Sequence, residues 1–249
     1  MNRPDTRNAL SLEMRTLMDK ALHRIERDDS VRCVVLTGAG EHFMSGGDVK
    51  GMHGLFSGEE ADDLASYFIH RIHNLHNIMF AMRRMPKPIV AKVRGAVAGA
   101  GVSMAAACDL IMAEEEAFFT LAYCHIGTTP DGSSSFHLPR AVGVKRAMEM
   151  MLLGDRYTAQ QMADMGLVNF VVPGAELDDA CAKLAGRLAK GPTFAYGQGK
   201  RLMYRSLENE FESQLQMEAE TFASCAVRRD FREGVTAFVE KRRADFTGE

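Results

Sequence analysis

The chain has 249 residues, 46% hydrophobic and 25% charged, with a formal net charge of −3 and a pI near 6.3. That composition supports a buried core and excludes the basic footprint of a dedicated nucleic-acid binder. Cys33, Cys108, Cys124, Cys181 and Cys225 form no close pair, which argues against a disulfide framework or zinc cluster and for reduced thiols in a cytoplasmic protein. No apolar run approaches bilayer length and no charged-then-apolar leader is seen, so neither a membrane span nor a secretion signal is expected.

Asn2-Arg3-Pro4 leads to Ser11, placed to cap a helix whose apolar positions Met14, Leu17, Met18, Leu22 and Ile25 recur at helical spacing. Residues 31–37 read as a buried strand closed by Gly38 and Gly40. The loop Phe43-Met44-Ser45-Gly46-Gly47-Asp48 follows, and then a polar stretch rich in His and Met that reads as helical over about 61–85. The same grammar returns, with a strand over 88–93, a glycine loop over 95–101 and a helix of small residues over 102–108. Short strands over 109–113 and 117–119 precede Gly127, after which 136–142 and 145–153 read as helices. Thr158 and Gln161 have capping-box spacing before Met162 and Met165, and 167–172 reads as a strand. Past Gly191-Pro192 the pattern is helical to the end. That change sets a boundary between a core over 1–190 and a helical oligomerisation region over 191–249. The tail over 229–242 has apolar positions with little local partner sequence, so it packs either on a neighbouring subunit or on its own core.

The loop at Gly46-Gly47-Asp48 and the loop over 95–101 are both poor in side chains, which lets backbone N–H groups approach a ligand. The second opens a helix, where unpaired N–H groups and the helix dipole favour a developing negative charge. Two convergent donors would make an oxyanion hole, although a glycine loop at a strand-to-helix turn is more often structural. The pattern fits neither a dinucleotide fingerprint nor a P-loop, and no Gly-x-Ser-x-Gly elbow occurs; Ser103, in an alanine-rich helix, reads as packing. Asp131, between Pro130 and Gly132-Ser133-Ser134-Ser135, is either an ordinary helix N-cap or a functional carboxylate in an apolar neighbourhood. Glu114-Glu115-Glu116 reads as a solvated turn. His53, His70, His73 and His76 include helical spacings but lack a carboxylate or cysteine at ligand spacing, so no metal is expected. The many methionines read as core filler or adaptable pocket lining.

Together these segments resemble the crotonase, or enoyl-CoA hydratase/isomerase, superfamily along nearly the whole chain. Asn2-Arg3-Pro4 through Asn8-Ala9-Leu10 resembles its first coenzyme A loop, 43–52 its first oxyanion loop and 95–109 its second. Ala141-Val142-Gly143, Gly154-Asp155-Arg156, Gly166-Leu167-Val168 and Glu233-Gly234 continue the series. The resemblance implies an α/β fold, a crotonase-type spiral of repeated β-β-α units with a C-terminal helical trimerisation region, assembling as a homotrimer or a dimer of trimers. It implies an acyl-CoA thioester substrate, with coenzyme A present only as part of that substrate and no other cofactor. By the same resemblance the oxyanion donors are the N–H groups of Gly47 and Ala100. Substrate contacts fall on Arg3, Ala9, Ser45, Gly46, Asp48, Val49, Gly99 and Tyr123. Phe238 and Lys241 fall where the family's tail meets the coenzyme A of an adjacent subunit. Family members carry a strand hairpin ahead of the Asn-Arg-Pro segment that this sequence does not contain.

At the two glutamates that hold and activate water in simple hydratases, this chain has Ser103 and Tyr123. Asp131 instead resembles the single aspartate kept near this position by double-bond isomerases, epoxyphenylacetyl-CoA isomerases and haloaroyl-CoA dehalogenases. The resemblance therefore implies an enoyl-CoA isomerase, of double bonds or rings, with Asp131 as acid and base. A hydratase for a branched or aromatic enoyl-CoA and a non-catalytic acyl-CoA-binding subunit are the alternatives. A dehalogenase would need Asp131 as nucleophile and an aromatic cradle, and the chain has no tryptophan.

Overall fold

The computed structural model describes residues 1–57 and 63–249. Its elements run α1 (Leu12–Arg27), β1 (Val34–Thr37), α2 (Val49–His53), α3 (Leu64–Arg84), β2 (Ile89–Val93), β3 (Ala96–Ala98), α4 (Ala100–Ala106), β4 (Leu110–Glu114) and β5 (Phe118–Thr120). They continue with α5 (Ser134–Val142), α6 (Val144–Leu153), β6 (Tyr157–Thr158), α7 (Ala159–Asp164), β7 (Phe170–Val172), α8 (Leu177–Ala189), α9 (Thr193–Arg205), α10 (Phe211–Ala226) and α11 (Arg229–Val239).

Local chemistry explains most element ends. The Ser11 hydroxyl accepts from the Met14 N–H at 3.1 Å and starts α1. Asp63 does the same for the Ser66 N–H in α3, which stops just before Pro86. The expected helix over 61–85 is thus found from Leu64, and Ala61 lies outside the described residues. Thr158 and Gln161 form the reciprocal capping box that their spacing predicts.

β1, β2, β4 and β7 pair in parallel in that order, with Val35 opposite Val90 and Ala91 opposite Ile111. β3 pairs in parallel with β5, which pairs antiparallel with β6. Each turn of the chain lays one strand in each sheet and then a helix, first β2, β3 and α4, then β4, β5 and α5. This is the spiral of β-β-α units. In the turn before these, which begins with β1, the second strand is reduced to one parallel bridge, Met44 to Val97. The expectation of a plain loop over 95–101 is corrected here, because Ala96–Ala98 is a strand. Met44 donates to the Ala96 carbonyl at 3.1 Å and accepts from the Ala98 N–H at 2.9 Å, a pairing 52 to 54 positions away in sequence.

All 7 residues of α4 are buried, which its small side chains allow. A Cβ at Gly101 would come within 2.5 Å of the Met44 carbonyl oxygen, so only glycine lets the helix sit on the first loop. The main core gathers α1, α3, α4 and the inner strand faces; a second cluster of Val90, Met112, Leu177 and Cys181 seats α8 on the outer face of the four-stranded sheet.

α9 is clamped to this core by a buried ion pair. Lys200 Nζ donates to Asp109 Oδ2 and to the Met82 carbonyl, at 2.8 and 2.9 Å. Asp109 also accepts from the Ile89 N–H at 2.8 Å and from the Tyr204 hydroxyl at 3.4 Å. Burial raises the Asp109 pKa, opposed by Lys200 and these hydrogen bonds. Lys200→Ala strands that carboxylate, so a loss of about 3 kcal/mol is expected, read as a melting temperature lower by about 6–12 °C. The double variant Lys200→Met/Asp109→Asn should lose distinctly less, and equal losses would refute the pair.

The tail packs on its own chain as well. The Asp230 carboxylate accepts from the Thr247 and Gly248 N–H groups, each at 2.7 Å, and Arg32 Nη1 donates to the Phe246 carbonyl at 3.0 Å. α10 has no buried residue, and Phe211, Phe222, Val227, Phe238 and Val239 stay largely exposed.

Candidate active site

The first half of the site is a knot between the N-terminal turn and the loop after β1. Arg7 and Asn8 both adopt left-handed backbone, φ 51° and 58°. Asn8, fully buried, holds the turn: its Nδ2 donates to the Ala39 and His42 carbonyls at 2.9 and 2.7 Å, and its Oδ1 accepts from the Arg3 N–H at 2.8 Å. Arg3 Nη1 then donates to the Ala9 carbonyl at 2.7 Å and meets Asp48 Oδ2 at 3.4 Å. The Leu10 N–H donates to the Gly46 carbonyl at 2.8 Å, and the Ser45 N–H to the Arg7 carbonyl at 2.9 Å. Five expected contact residues, Arg3, Ala9, Ser45, Gly46 and Asp48, therefore come together. Asp48 also caps α2 through the Gly51 N–H at 3.1 Å, which leaves Val49 exposed at the first position of that helix.

The second half is the turn from β3 into α4. The Gly99 N–H donates to the Thr120 carbonyl at 2.9 Å, and φ 49° with ψ −117° requires glycine there. A Cβ on Gly99 would lie 3.7 Å from Gly46 Cα and 3.8 Å from Tyr123 Cζ, so the two glycine loops and the tyrosine are in contact. Ala100 is the first residue of α4. Among the described residues neither its N–H nor that of Gly47 donates a hydrogen bond. Both are donors without acceptors, flanking the Gly46–Gly99 contact.

Asp131 is not the N-cap that local pattern allowed. Ser133, at φ 72°, occupies that position without a side-chain bond, and the Asp131 carboxylate turns instead to Tyr123, whose hydroxyl donates to Oδ1 at 2.6 Å. Burial, then the charge of Asp131, pushes the Tyr123 phenol well above its usual range. Tyr123 therefore keeps its proton and acts as a donor. Ser103 does more than pack: fully buried, it donates to the Asp131 carbonyl at 2.8 Å. The same carbonyl accepts from the Ser134 hydroxyl at 3.0 Å and the Ser134 N–H at 3.2 Å. A Cβ on Gly132, at φ 56°, would lie 3.0 Å from Ser103 Cβ and 3.2 Å from Leu75 Cδ2. The Asp131 loop is thus pressed between α4 and α3, with its carboxylate held from one side only.

Asp131, Gly132 and Ser133 line one end of a cleft of about 1030 Å³ between α3, α5 and α9, which also takes in His76, His137 and Tyr204. Sequence reasoning offered the α3 side of this cleft as pocket wall and missed the α5 and α9 side, which lies far from α3 in the chain. The Arg83 guanidinium stacks 4.8 Å over Phe136 and 4.5 Å over Tyr204. Burial, with Arg83 and Arg140 nearby, lowers the His137 pKa to about 4. The folded state therefore keeps this ring neutral where the unfolded chain binds a proton. Its contribution is complete above about pH 6.5 and is lost as pH falls towards 4, for a total of about 3 kcal/mol. Urea midpoints at pH 7.5 and pH 5 should converge in His137→Gln relative to the unsubstituted protein.

One expectation is adjusted. Glu114 is not simply solvated: its carboxylate accepts from the Gly95 N–H at 2.7 Å and from Arg94 Nε at 3.1 Å, holding the start of β3. Phe238, which with Lys241 is expected to meet a neighbouring subunit's coenzyme A, is 85% exposed within one chain and lines a separate apolar cleft with Phe194, Phe231 and Phe246.

The model of the enoyl-CoA hydratase/isomerase family matches residues 1–249. The chain is 34% identical over 248 residues to the 1,2-epoxyphenylacetyl-CoA isomerase of Escherichia coli (strain K12), covering 100% of this chain and 93% of that protein. It is 33% identical over 249 residues to the trans-2-decenoyl-[acyl-carrier-protein] isomerase of Streptococcus mutans serotype c, again over 100% and 93% of the two. Among solved structures, the enoyl-CoA hydratase of Polaromonas sp. JS666 superposes with a TM-score of 0.92 at 32% identity, over 98% of this chain and 93% of that one. The names of these relatives are divided between isomerase and hydratase. The match over the full length of the chain, the spiral of β-β-α units and the paired glycine loops together make this protein a member of the enoyl-CoA hydratase/isomerase family, the crotonase superfamily.

Proposed function

We propose that this protein is an enoyl-CoA isomerase that shifts a double bond, or opens or forms a ring, beside the thioester of an acyl-CoA. In this reading the thioester oxygen lies between the Gly47 and Ala100 N–H groups, which stabilise the enolate as it forms. Asp131 takes a proton from one carbon and returns it to another. Without the two N–H donors the α proton is too weakly acidic for a carboxylate to remove. Tyr123 orients the base by occupying one of its oxygens, and the serines fix its backbone.

The observation that carries the reading is the isolation of Asp131. One carboxylate oxygen is held by Tyr123, the other has no hydrogen bond among the described residues, and no second carboxylate bonds to Asp131, Tyr123 or Ser103. Hydration by the usual route calls for two carboxylates around one water. Where the second would stand there is a fully buried Ser103 already committed to a carbonyl and a Tyr123 that keeps its proton. The E. coli relative named for isomerisation supports the same choice.

The alternative, a hydratase for a branched or aromatic enoyl-CoA, draws on the Polaromonas relative's name and on water oriented by Asp131 and Tyr123. A silent acyl-CoA-binding subunit is the third possibility. Mass spectrometry of 2-enoyl, 3-enoyl and arylacetyl-derived CoA thioesters incubated in deuterated water separates them. Incorporated deuterium with a moved double bond marks the isomerase, a gain of water the hydratase, and binding without exchange the silent subunit.

The reading includes a homotrimer or a dimer of trimers. Its support is α10, which buries nothing in one chain, and the exposed Phe238, which would then reach a neighbour's coenzyme A together with Lys241. Light scattering on the purified chain tests it.

A further inference from the structure

Two buried arginines, Arg15 on α1 and Arg71 on α3, take no part in the chemistry above. They are 4% and 6% exposed. Arg15 Nη1 donates to the Arg71 carbonyl at 2.9 Å, which sets one guanidinium against the backbone of the other. The Nε atoms of both are buried without an acceptor among the described residues. The Arg71 guanidinium makes no hydrogen bond or ion pair there. Asp19, one turn after Arg15 on α1, meets His23 at 3.4 Å, and neither it nor Glu13 forms an ion pair with Arg15 or Arg71.

Asp131 is the carboxylate whose charge acts on Arg15, against the effects of burial and of Arg71, which lower the Arg15 pKa to about 10. Arginine remains protonated under any physiological condition, and among the described residues neither of the two buried cations forms an ion pair. An interior normally pairs such groups, because leaving a buried charge without a partner is costly. Their position is also informative. Leu75, whose Cδ2 bears on Gly132 beside Asp131, stands one turn of α3 after Arg71, about 6 Å along the helix. The pair therefore lies beside the Asp131 loop, where the acyl group of the substrate has to lie if Asp131 is the base. A wall built for a plain hydrocarbon tail would be apolar there.

Resting on the acyl-CoA reading, we infer that Arg15 and Arg71 form the anion-binding end of the acyl pocket and select thioesters whose acyl group carries a second carboxylate, that is, monothioesters of dicarboxylic acids. The planar guanidinium of Arg71, whose buried Nε has no acceptor among the described residues, matches a carboxylate in two parallel hydrogen bonds. Arg15 supplies a second positive charge from α1.

Calorimetric titration with saturated thioesters tests this without requiring turnover. Glutaryl-, adipoyl- and pimeloyl-CoA are compared with the monocarboxylic thioesters of the same length, on the unsubstituted protein and on Arg15→Met and Arg71→Met. The best dicarboxylic monothioester should bind at least about 10-fold tighter than its counterpart, and in Arg71→Met that ratio should fall to about one. Melting temperatures of the variants should hold or rise, because an uncompensated buried charge has been replaced by an apolar chain of similar length. Equal affinity for the two classes in the unsubstituted protein overturns the inference, as does a variant that melts far lower or loses both classes in parallel. In those cases deuterium exchange on the enoyl panel can still uphold the isomerase reading. If no thioester of either class binds, the acyl-CoA reading fails and the inference with it.

Discussion

Asp131→Asn is expected to lower turnover of the preferred enoyl-CoA by about 100- to 10,000-fold, the range for losing a positioned general acid–base. The substitution is conservative in shape. Its amide oxygen can still accept from the Tyr123 hydroxyl, and its backbone carbonyl keeps the donors from Ser103 and Ser134. The variant should therefore fold and bind thioester with little change, and the loss should appear in kcat. Deuterium incorporation at the carbon next to the thioester should fall in proportion, since the same group removes that proton. A variant with full turnover would sink the acid–base role, in the isomerase and hydratase readings alike.

Ala100→Pro should lower kcat by about 100- to 1,000-fold, the cost of losing one oxyanion donor. A backbone N–H is hard to delete by substitution, but Ala100 occupies the one kind of helical position where proline is well tolerated. It is the first residue of α4, its N–H has no helical partner, and Gly99 before it already has a backbone that only glycine takes up readily. The proline ring would point to where the donor stood. Circular dichroism and melting temperature close to those of the unsubstituted protein would assign the loss to the missing donor. Ala100→Ser keeps the N–H and serves as the control, and should retain most activity. If Ala100→Pro folds and turns over normally, the developing charge is not stabilised there.

The two variants separate roles that an activity screen would merge. Loss of the base should abolish isotope exchange and leave binding of a saturated thioester intact. Loss of the donor should slow exchange and also weaken binding of any ligand that mimics the enolate.

Signals confined to a few residues were readable from the chain. Ser11 and Met14, or Thr158 and Gln161, lie three positions apart, and their capping bonds form whatever the rest of the fold does. The glycine loops at 46–47 and 99–101 were visible because such turns and close approaches have few other solutions. Hydrophobic period placed β2 and β4 to within about one residue and β1 to within about three. β3 escaped detection because a three-residue strand has no period of its own, and its pairing with Met44 is decided by the order of turns in the spiral.

The family, the order of elements and the list of residues able to do chemistry were legible in the chain alone. The tertiary structure decided what each residue does. Asp131 could be an N-cap or a functional carboxylate until Tyr123, eight positions earlier, was found bonded to its side chain and Ser103, on another helix, to its backbone. Arg15 and Arg71 carry no motif at all; only the packing of α1 on α3 buries them together and leaves their Nε atoms without an acceptor among the described residues. The division has a physical reason. Capping and periodicity are properties of backbone within one or two turns, whereas burial and charge pairing depend on which distant surfaces the sheets and helices bring into contact.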